Sequence, residues 1–289
     1  MFEHASYSYP SWLLLPLELL LVALAAGLLA ILLRRAEPGP HHPTTPRRPI
    51  NRPTVIALPA LIALALQATS FATLGPPIVR FGDEHAYLLQ GETFAAARFT
   101  NAPLEPPDAF GCPHVVPTPT RQSKYPPGQG SLLALGELLG HPAAGVALGI
   151  ALFAASTSWM LLAFVGRRWA LVGGLFVALR FGLGSYWGQS YWGGSLAATG
   201  GLLLVGGLTR LGRADRHWQS ALIAGLGAGL LLVTRPFEGL FVGLATLAWS
   251  LAARGPRRRP SIGELALAAL PLAAIVSVVL AYHPVSYTH

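Results

Sequence analysis

Apolar residues gather along this chain into long runs, and short segments holding arginine separate most of them. Eight runs, at residues 12–33, 54–74, 143–165, 169–186, 193–209, 218–234, 238–253 and 262–281, approach or reach the roughly 20 residues that a helix needs to cross a bilayer. A backbone in lipid must satisfy its own polar groups, and an α-helix does so within one segment. The pattern predicts an all-α fold, a multi-pass transmembrane helical bundle of about eight spans. One gap, residues 75–128, is too long for a connector and is expected to form an outer loop with interfacial helices.

Composition agrees with that pattern. Only 11% of the 289 residues are charged and 53% are hydrophobic. A soluble domain carries about 25% charge, so this chain lacks the means to cover a water-facing surface. The net charge of +8 is explained without nucleic acid. Arg34, Arg35, Arg47, Arg48 and Arg52 follow the first run, Arg167 and Arg168 the third, Arg210, Arg213 and Arg216 the fifth, and Arg254 with Arg257, Arg258 and Arg259 the seventh. Such arginines on alternate loops mark the cytoplasmic side, where they meet an anionic leaflet. The first run has no basic leader, so it reads as an anchor with its N-terminus outside. Residues 1–53 are then an anchor helix with a cytoplasmic Pro/Arg-rich linker, in which His41 and His42 read as a solvated pair. Cys112 stands alone, which excludes an intramolecular disulfide.

The remaining polar chemistry falls on the opposite side. The loop at 75–128 contains Asp83-Glu84, the one adjacent acidic pair of the chain, and Lys124, its one lysine against nineteen arginines. A helical pattern follows Gly82-Asp83 through Ala86, Tyr87, Gln90, Phe94 and Ala97. Asp83 could be its N-cap, or a carboxylate at the membrane surface acting as a general base or holding a metal. Glu84 points elsewhere on such a helix. Lys124 precedes Tyr125-Pro126-Pro127-Gly128, an extended approach to a helix starting near Gln129. It could snorkel to the interface or bind a phosphate beside that helix N-terminus.

Two further outer segments join the set. Ser185-Tyr186-Trp187-Gly188-Gln189 is followed at once by Ser190-Tyr191-Trp192-Gly193-Gly194, an aromatic belt whose rings could also stack on sugars. In Thr234-Arg235-Pro236-Phe237-Glu238, Arg235 and Glu238 are spaced for a local ion pair. Arg180, inside the fourth run, is costly at that depth and faces a partner, either Glu18 or a phosphate. The glycine pairs at 193–194, 200–201 and 206–207, with Gly225, Gly227 and Gly229, signify close helix packing and no nucleotide loop.

Gly82-Asp83-Glu84-His85-Ala86-Tyr87, just after a membrane span, resembles the start of the first outer loop in GT-C glycosyltransferases. Those include the protein O-mannosyltransferases and the lipid A aminoarabinose transferases. Lys124-Tyr125-Pro126-Pro127 resembles their Lys/His-Pro-Pro element, with one residue inserted, and the blocks at 185–194 and 235–239 are similar to uncharacterised bacterial relatives. The resemblance covers residues 54–282 as a GT-C-like transmembrane domain.

It implies a bacterial plasma-membrane enzyme transferring a sugar, with inversion, from a polyprenyl-phosphate donor to an acceptor hydroxyl on a protein, lipid or glycan outside the cytoplasm. Asp83 would be the base, with Glu84 orienting the acceptor or sharing a divalent metal ion with it. Lys124 would bind the donor phosphate with Arg180 or Arg235, and Tyr87, Tyr125, Tyr191 and Trp192 would line the substrate site. A transporter or flippase of a lipid-linked sugar would use the same outer cations and aromatics, but no inverted repeat is legible. Family members continue beyond eight spans, and residues 283–289 resemble translated adapter read-through, so the chain is expected to be truncated with a non-native tail.

Overall fold

A computed structural model describes residues 50–106, 112–211, 217–252 and 261–287. The expected first span, Glu18 and most of the linker lie outside these residues, as do Arg213, Arg216, Arg254 and Arg257 to Arg259. The described chain is mostly helical, with nine helices. They are α1 (Arg52–Leu74), α2 (Gly82–Ala95), α3 (Pro127–Leu138), α4 (Pro142–Leu161), α5 (Arg167–Gly182), α6 (Gly194–Arg210), α7 (His217–Thr234), α8 (Pro236–Ala252) and α9 (Ile262–Tyr287).

Local chemistry sets the helix ends. Asn51 caps α1 by accepting from the Thr54 N–H at 2.8 Å, and Gly75, at φ +82°, ends it in a conformation that side-chain-bearing residues avoid. Gly140, at φ +109°, turns the chain between α3 and α4. Those two helices pack back to back: a Cβ on Gly136 would lie 2.5 Å from the Gly145 nitrogen. The Pro-Pro element thus opens a 12-residue helix and a tight hairpin, and the long helix begins only at Pro142. Between α2 and α3 the chain also forms a two-residue antiparallel pair, β1 (Val115–Val116) with β2 (Gln122–Ser123), a small exception to an all-helical fold.

Four apolar clusters hold the described helices, and two of them join the longer ones. Ala63 of α1, Ile150, Ala151 and Ala154 of α4, and Val177 and Ala178 of α5 form one. Leu204 and Leu208 of α6 meet Ala221, Ala224 and Leu231 of α7 in the other. The α6–α7 contact is close because it is made at glycine. A Cβ on Gly200 would stand 3.0 Å from the Gly227 carbonyl oxygen, and one on Gly227 would stand 2.6 Å from that of Gly200. Close packing is therefore what these glycines provide, as expected of small residues between membrane helices.

Seven of the eight predicted spans coincide with described helices, and the eighth is the undescribed first. Among the described residues, three helices are long and apolar enough to cross a membrane: Arg52–Leu74, Pro142–Leu161 and Ile262–Leu280. The segments Trp218–Thr234 and Pro236–Trp249 are apolar but shorter. The 16 residues of α5 reach about 24 Å, against a hydrocarbon core of about 30 Å, because the chain leaves the helix at Gly182. Large apolar side chains such as Leu61, Leu179, Phe241 and Leu270 face outward from these helices. That exposure is compatible with a membrane protein, since lipid would cover what water would not. The segment expected as a non-native tail continues α9 through Tyr287.

Candidate functional site

The end of the bundle that carries α2 gathers the C-termini of α1, α5 and α7 and the N-terminus of α6. Gln67 of α1 donates to the last carbonyls of α5, at Phe181 (3.3 Å) and Gly182 (3.1 Å). Gln189 donates to Ser70 of α1 at 3.0 Å. Gln129 of α3 donates to the Tyr191 carbonyl at 2.8 Å, and Gln90 of α2 to the Tyr125 carbonyl at 3.1 Å. Gln67 thereby joins two helices, and the other three glutamines tie irregular segments to helices, answering part of the backbone's demand for hydrogen bonds. A Cβ on Gly128 would meet Thr234 Cγ2 and the Val233 carbonyl oxygen, each at 2.6 Å, so α3 begins directly against the α7–α8 corner.

Asp83 is in the first turn of α2 and is not its N-cap, a position held by Phe81 without a side-chain bond. The Asp83 carboxylate is half-buried and accepts from the Glu84 N–H at 3.0 Å. Glu84 is fully buried. Its Oε2 accepts from the Tyr191 N–H at 3.4 Å, while Oε1 has no partner among the described residues. Burial pushes the Glu84 carboxyl above its usual range, partly countered by the Tyr191 hydrogen bond. The Asp83 side chain is half-buried, whereas Glu84 is sealed from solvent. Among the described residues no three His, Cys, Asp or Glu side chains gather as a metal site.

Most of the circumference of α2 is covered, with Glu84, Ala86, Tyr87, Leu89, Gln90, Gly91 and Thr93 buried. A narrow strip including His85 and Glu92 stays exposed. Three of the buried residues are polar: Glu84 accepts from the Tyr191 N–H, Gln90 donates to the Tyr125 carbonyl, and Thr93 donates to the Leu89 carbonyl within α2.

Beside Asp83 the aromatic residues stack. Tyr87 and Tyr125 have ring centroids 4.6 Å apart at 24°, and Tyr125 stacks on His114 at 5.8 Å. The Tyr125 hydroxyl and His114 Nδ1 share a hydrogen bond of 2.7 Å. Burial pushes the Tyr87 phenol up to about 12, with the positive charge of Arg235 opposing the rise. The Tyr125 phenol is also raised, by burial first and then by the Asp83 charge, with Arg235 again opposing. Asp83, Tyr87, Tyr125 and Arg235 therefore share one electrostatic neighbourhood.

Arg235 also makes the local ion pair with Glu238 that their spacing allows, at 3.4 Å on an exposed surface. Lys124 is exposed, and its Nζ donates to the Pro113 carbonyl at 2.7 Å. Tyr191 is buried and donates its hydroxyl to the Pro77 carbonyl at 2.9 Å. Trp192 packs between Phe81 (5.9 Å) and Tyr186 (5.1 Å), with its indole N–H buried and unpartnered among the described residues. Arg180 lies in the last turn of α5, its guanidinium 5.4 Å from the ring centre of neighbouring Phe181.

Sequence reasoning gave no particular role to Arg80, His114 or Gln129. Arg80 acts electrostatically on both Glu84 and Tyr186, and its place three residues before Asp83 is a legible sign of that. His114 reaches Tyr125 because it lies next to the β1–β2 pair, with the Lys124 N–H donating to its carbonyl at 3.1 Å. Strands of two residues leave no periodic trace in a sequence. No protein-family model, curated protein or solved structure matches the chain.

Proposed function

We propose that this chain is an integral-membrane glycosyltransferase of GT-C type. It transfers a sugar from a polyprenyl-phosphate donor to an acceptor hydroxyl on the extracytoplasmic face of a bacterial plasma membrane. The observation that carries the reading is the half-open Asp83 carboxylate at one end of an apolar helical bundle, beside stacked tyrosines and Arg235, with Lys124 on the same loop. A displacement at the sugar C1 needs those parts. Asp83 takes the proton of the acceptor hydroxyl as its oxygen bonds to C1. The bond from C1 to the phosphate oxygen breaks, and the lipid phosphate leaves with the electron pair. Lys124 and Arg235 neutralise the departing charge, and one displacement inverts the anomeric centre. Tyr87, Tyr125 and Trp192 offer ring faces to the sugar, and Arg180 supports the wall from α5. In this reading the bundle has eight spans, its N-terminus lies outside, and the arginine-bearing loops lie in the cytoplasm.

The test supplies membranes containing the protein with radiolabelled polyprenyl-phosphate sugars. Wild type is expected to transfer label, and Asp83→Asn to lose at least about 100-fold in rate, the contribution typical of a general base. Lys124→Ala is expected to lose turnover as well. Label moved across the bilayer without transfer would replace this reading with a flippase.

A further inference from the structure

We infer that His114 is a positioning residue for the site: set between Gly82 and Tyr125, it joins the start of α2, which carries Asp83, to the loop end that carries Lys124 and Tyr125. The join stands on the packing alone; its consequence for sugar transfer rests on the function proposed above.

Pairing of β1 with β2 brings His114 to this place. Val115 lies opposite Ser123, and His114 and Lys124 continue that register, with the His114 carbonyl accepting from the Lys124 N–H at 3.1 Å. One residue back, the Pro113 carbonyl accepts from the Lys124 ammonium at 2.7 Å. The Pro113-His114 dipeptide thus holds the backbone donor of Lys124 and aims its side chain, whose other ammonium protons are left for an anion. The His114 ring serves the next residue. Its Nδ1 shares a hydrogen bond of 2.7 Å with the Tyr125 hydroxyl, and the two rings lie within 15° of parallel. Tyr125 in turn stacks on Tyr87 of α2.

Gly82 provides the seat for this ring. A Cβ on Gly82 would stand 2.9 Å from His114 Cδ2 and 3.6 Å from its Nε2, so the imidazole lies where any other side chain would begin. Helix formation gives no reason for a glycine in this first turn, since alanine is the better helix former. The missing methyl lets the ring rest one residue from Asp83 and still reach Tyr125. A ring fixed at both ends sets the separation between the carboxylate proposed as base and the tyrosine proposed to face the sugar. Misplacing such groups by about 1 Å is costly to rate.

Full-length protein is to be measured for thermal unfolding in detergent and for sugar transfer, with kcat and KM for the polyprenyl-phosphate sugar read separately. The variants are Gly82→Ala, His114→Ala, His114→Asn and Tyr125→Phe, with His114→Ala also combined with each of Gly82→Ala and Tyr125→Phe. Gly82→Ala puts one methyl into the seat. It is expected to shift melting by no more than about 4 °C, the scale of one net hydrogen bond in a chain of this size. Its kcat/KM is expected to fall at least about tenfold, mainly through KM, because Tyr125 and Lys124 hold the donor. His114→Ala should show the same kinetic loss. His114→Asn keeps a polar atom near the place of Nδ1 and should return to within about threefold of wild type. Adding Tyr125→Phe to His114→Ala should cost nothing more in melting or in transfer, since both remove one bond. Gly82→Ala should likewise cost nothing in the His114→Ala background, where no ring is displaced.

Additive losses in the His114–Tyr125 double variant would mean that His114 does not act through Tyr125, and the proposal is then overturned. Wild-type kcat/KM in Gly82→Ala would overturn it too, because the ring would need no seat. A fall confined to kcat would place His114 among the groups that touch the reacting atoms, which ends the positioning role. Should wild type transfer no sugar from any donor, the enzyme reading fails, and the melting of the double variants still decides whether Gly82, His114 and Tyr125 are coupled.

Discussion

The Tyr125 ring stacks on Tyr87, and its hydroxyl is hydrogen-bonded to His114 Nδ1 at 2.7 Å. Stacking and hydrogen bonding can be separated by one atom. In Tyr125→Phe the ring stays stacked and the hydroxyl is lost, at a cost of about 0.5–1.5 kcal/mol for a net hydrogen bond. Thermal unfolding of the purified variant should show that loss, and an unchanged melting temperature would mean that the bond contributes nothing. Little of this neighbourhood was legible beforehand. The carboxylate pair, the lone lysine and the aromatic pairs are rare residue types in an apolar chain, and rarity is visible in a sequence. That Glu84 would be sealed and Asp83 left half-open depends on what covers each, and the covering residues are about 100 positions away in the chain.

Among elements, the junction of α3 with the α7–α8 corner has no slack. A methyl at Gly128 would lie 2.6 Å from both Thr234 Cγ2 and the Val233 carbonyl oxygen. Gly128→Ala should therefore destabilise by about 1–3 kcal/mol, as overpacking does, and move Arg235 away from Tyr87. Gly201→Ala is the internal control: nothing lies within 4 Å of the added carbon, so the variant should match or exceed wild-type stability. Thermal unfolding of the two checks both expectations, and equal effects would remove the argument from packing. The helices were largely legible, because an apolar run is a local property. The α3–α4 hairpin was not. Its turn needs a positive φ at Gly140, and its packing needs two glycines, Gly136 and Gly145, to meet across the hairpin.

For the whole molecule, the single cysteine of the sequence provides a topology probe. Cys112 is partly exposed in the loop that the eight-span reading places outside. A membrane-impermeant maleimide should label it in intact spheroplasts as completely as in permeabilised ones. Labelling only after permeabilisation would invert the bundle, and with it the face on which Asp83 stands. The native chain needs no added cysteine for this measurement.

Hydropathy along the chain was enough to locate seven helices and to show apolar surfaces compatible with a membrane, because the composition of each apolar run is read without reference to any other. Charge on alternate loops was enough to propose a direction, for the same reason. The tertiary structure alone decided that α2 is covered on most sides, that the Ser185–Gly193 segment is tied to α3 by Gln129 and to α1 by its own Gln189, and that Asp83 and Glu84 have different surroundings. Those outcomes depend on which distant backbone groups find hydrogen bonds and which side chains leave no room for water, and neither is a property of any one stretch of residues.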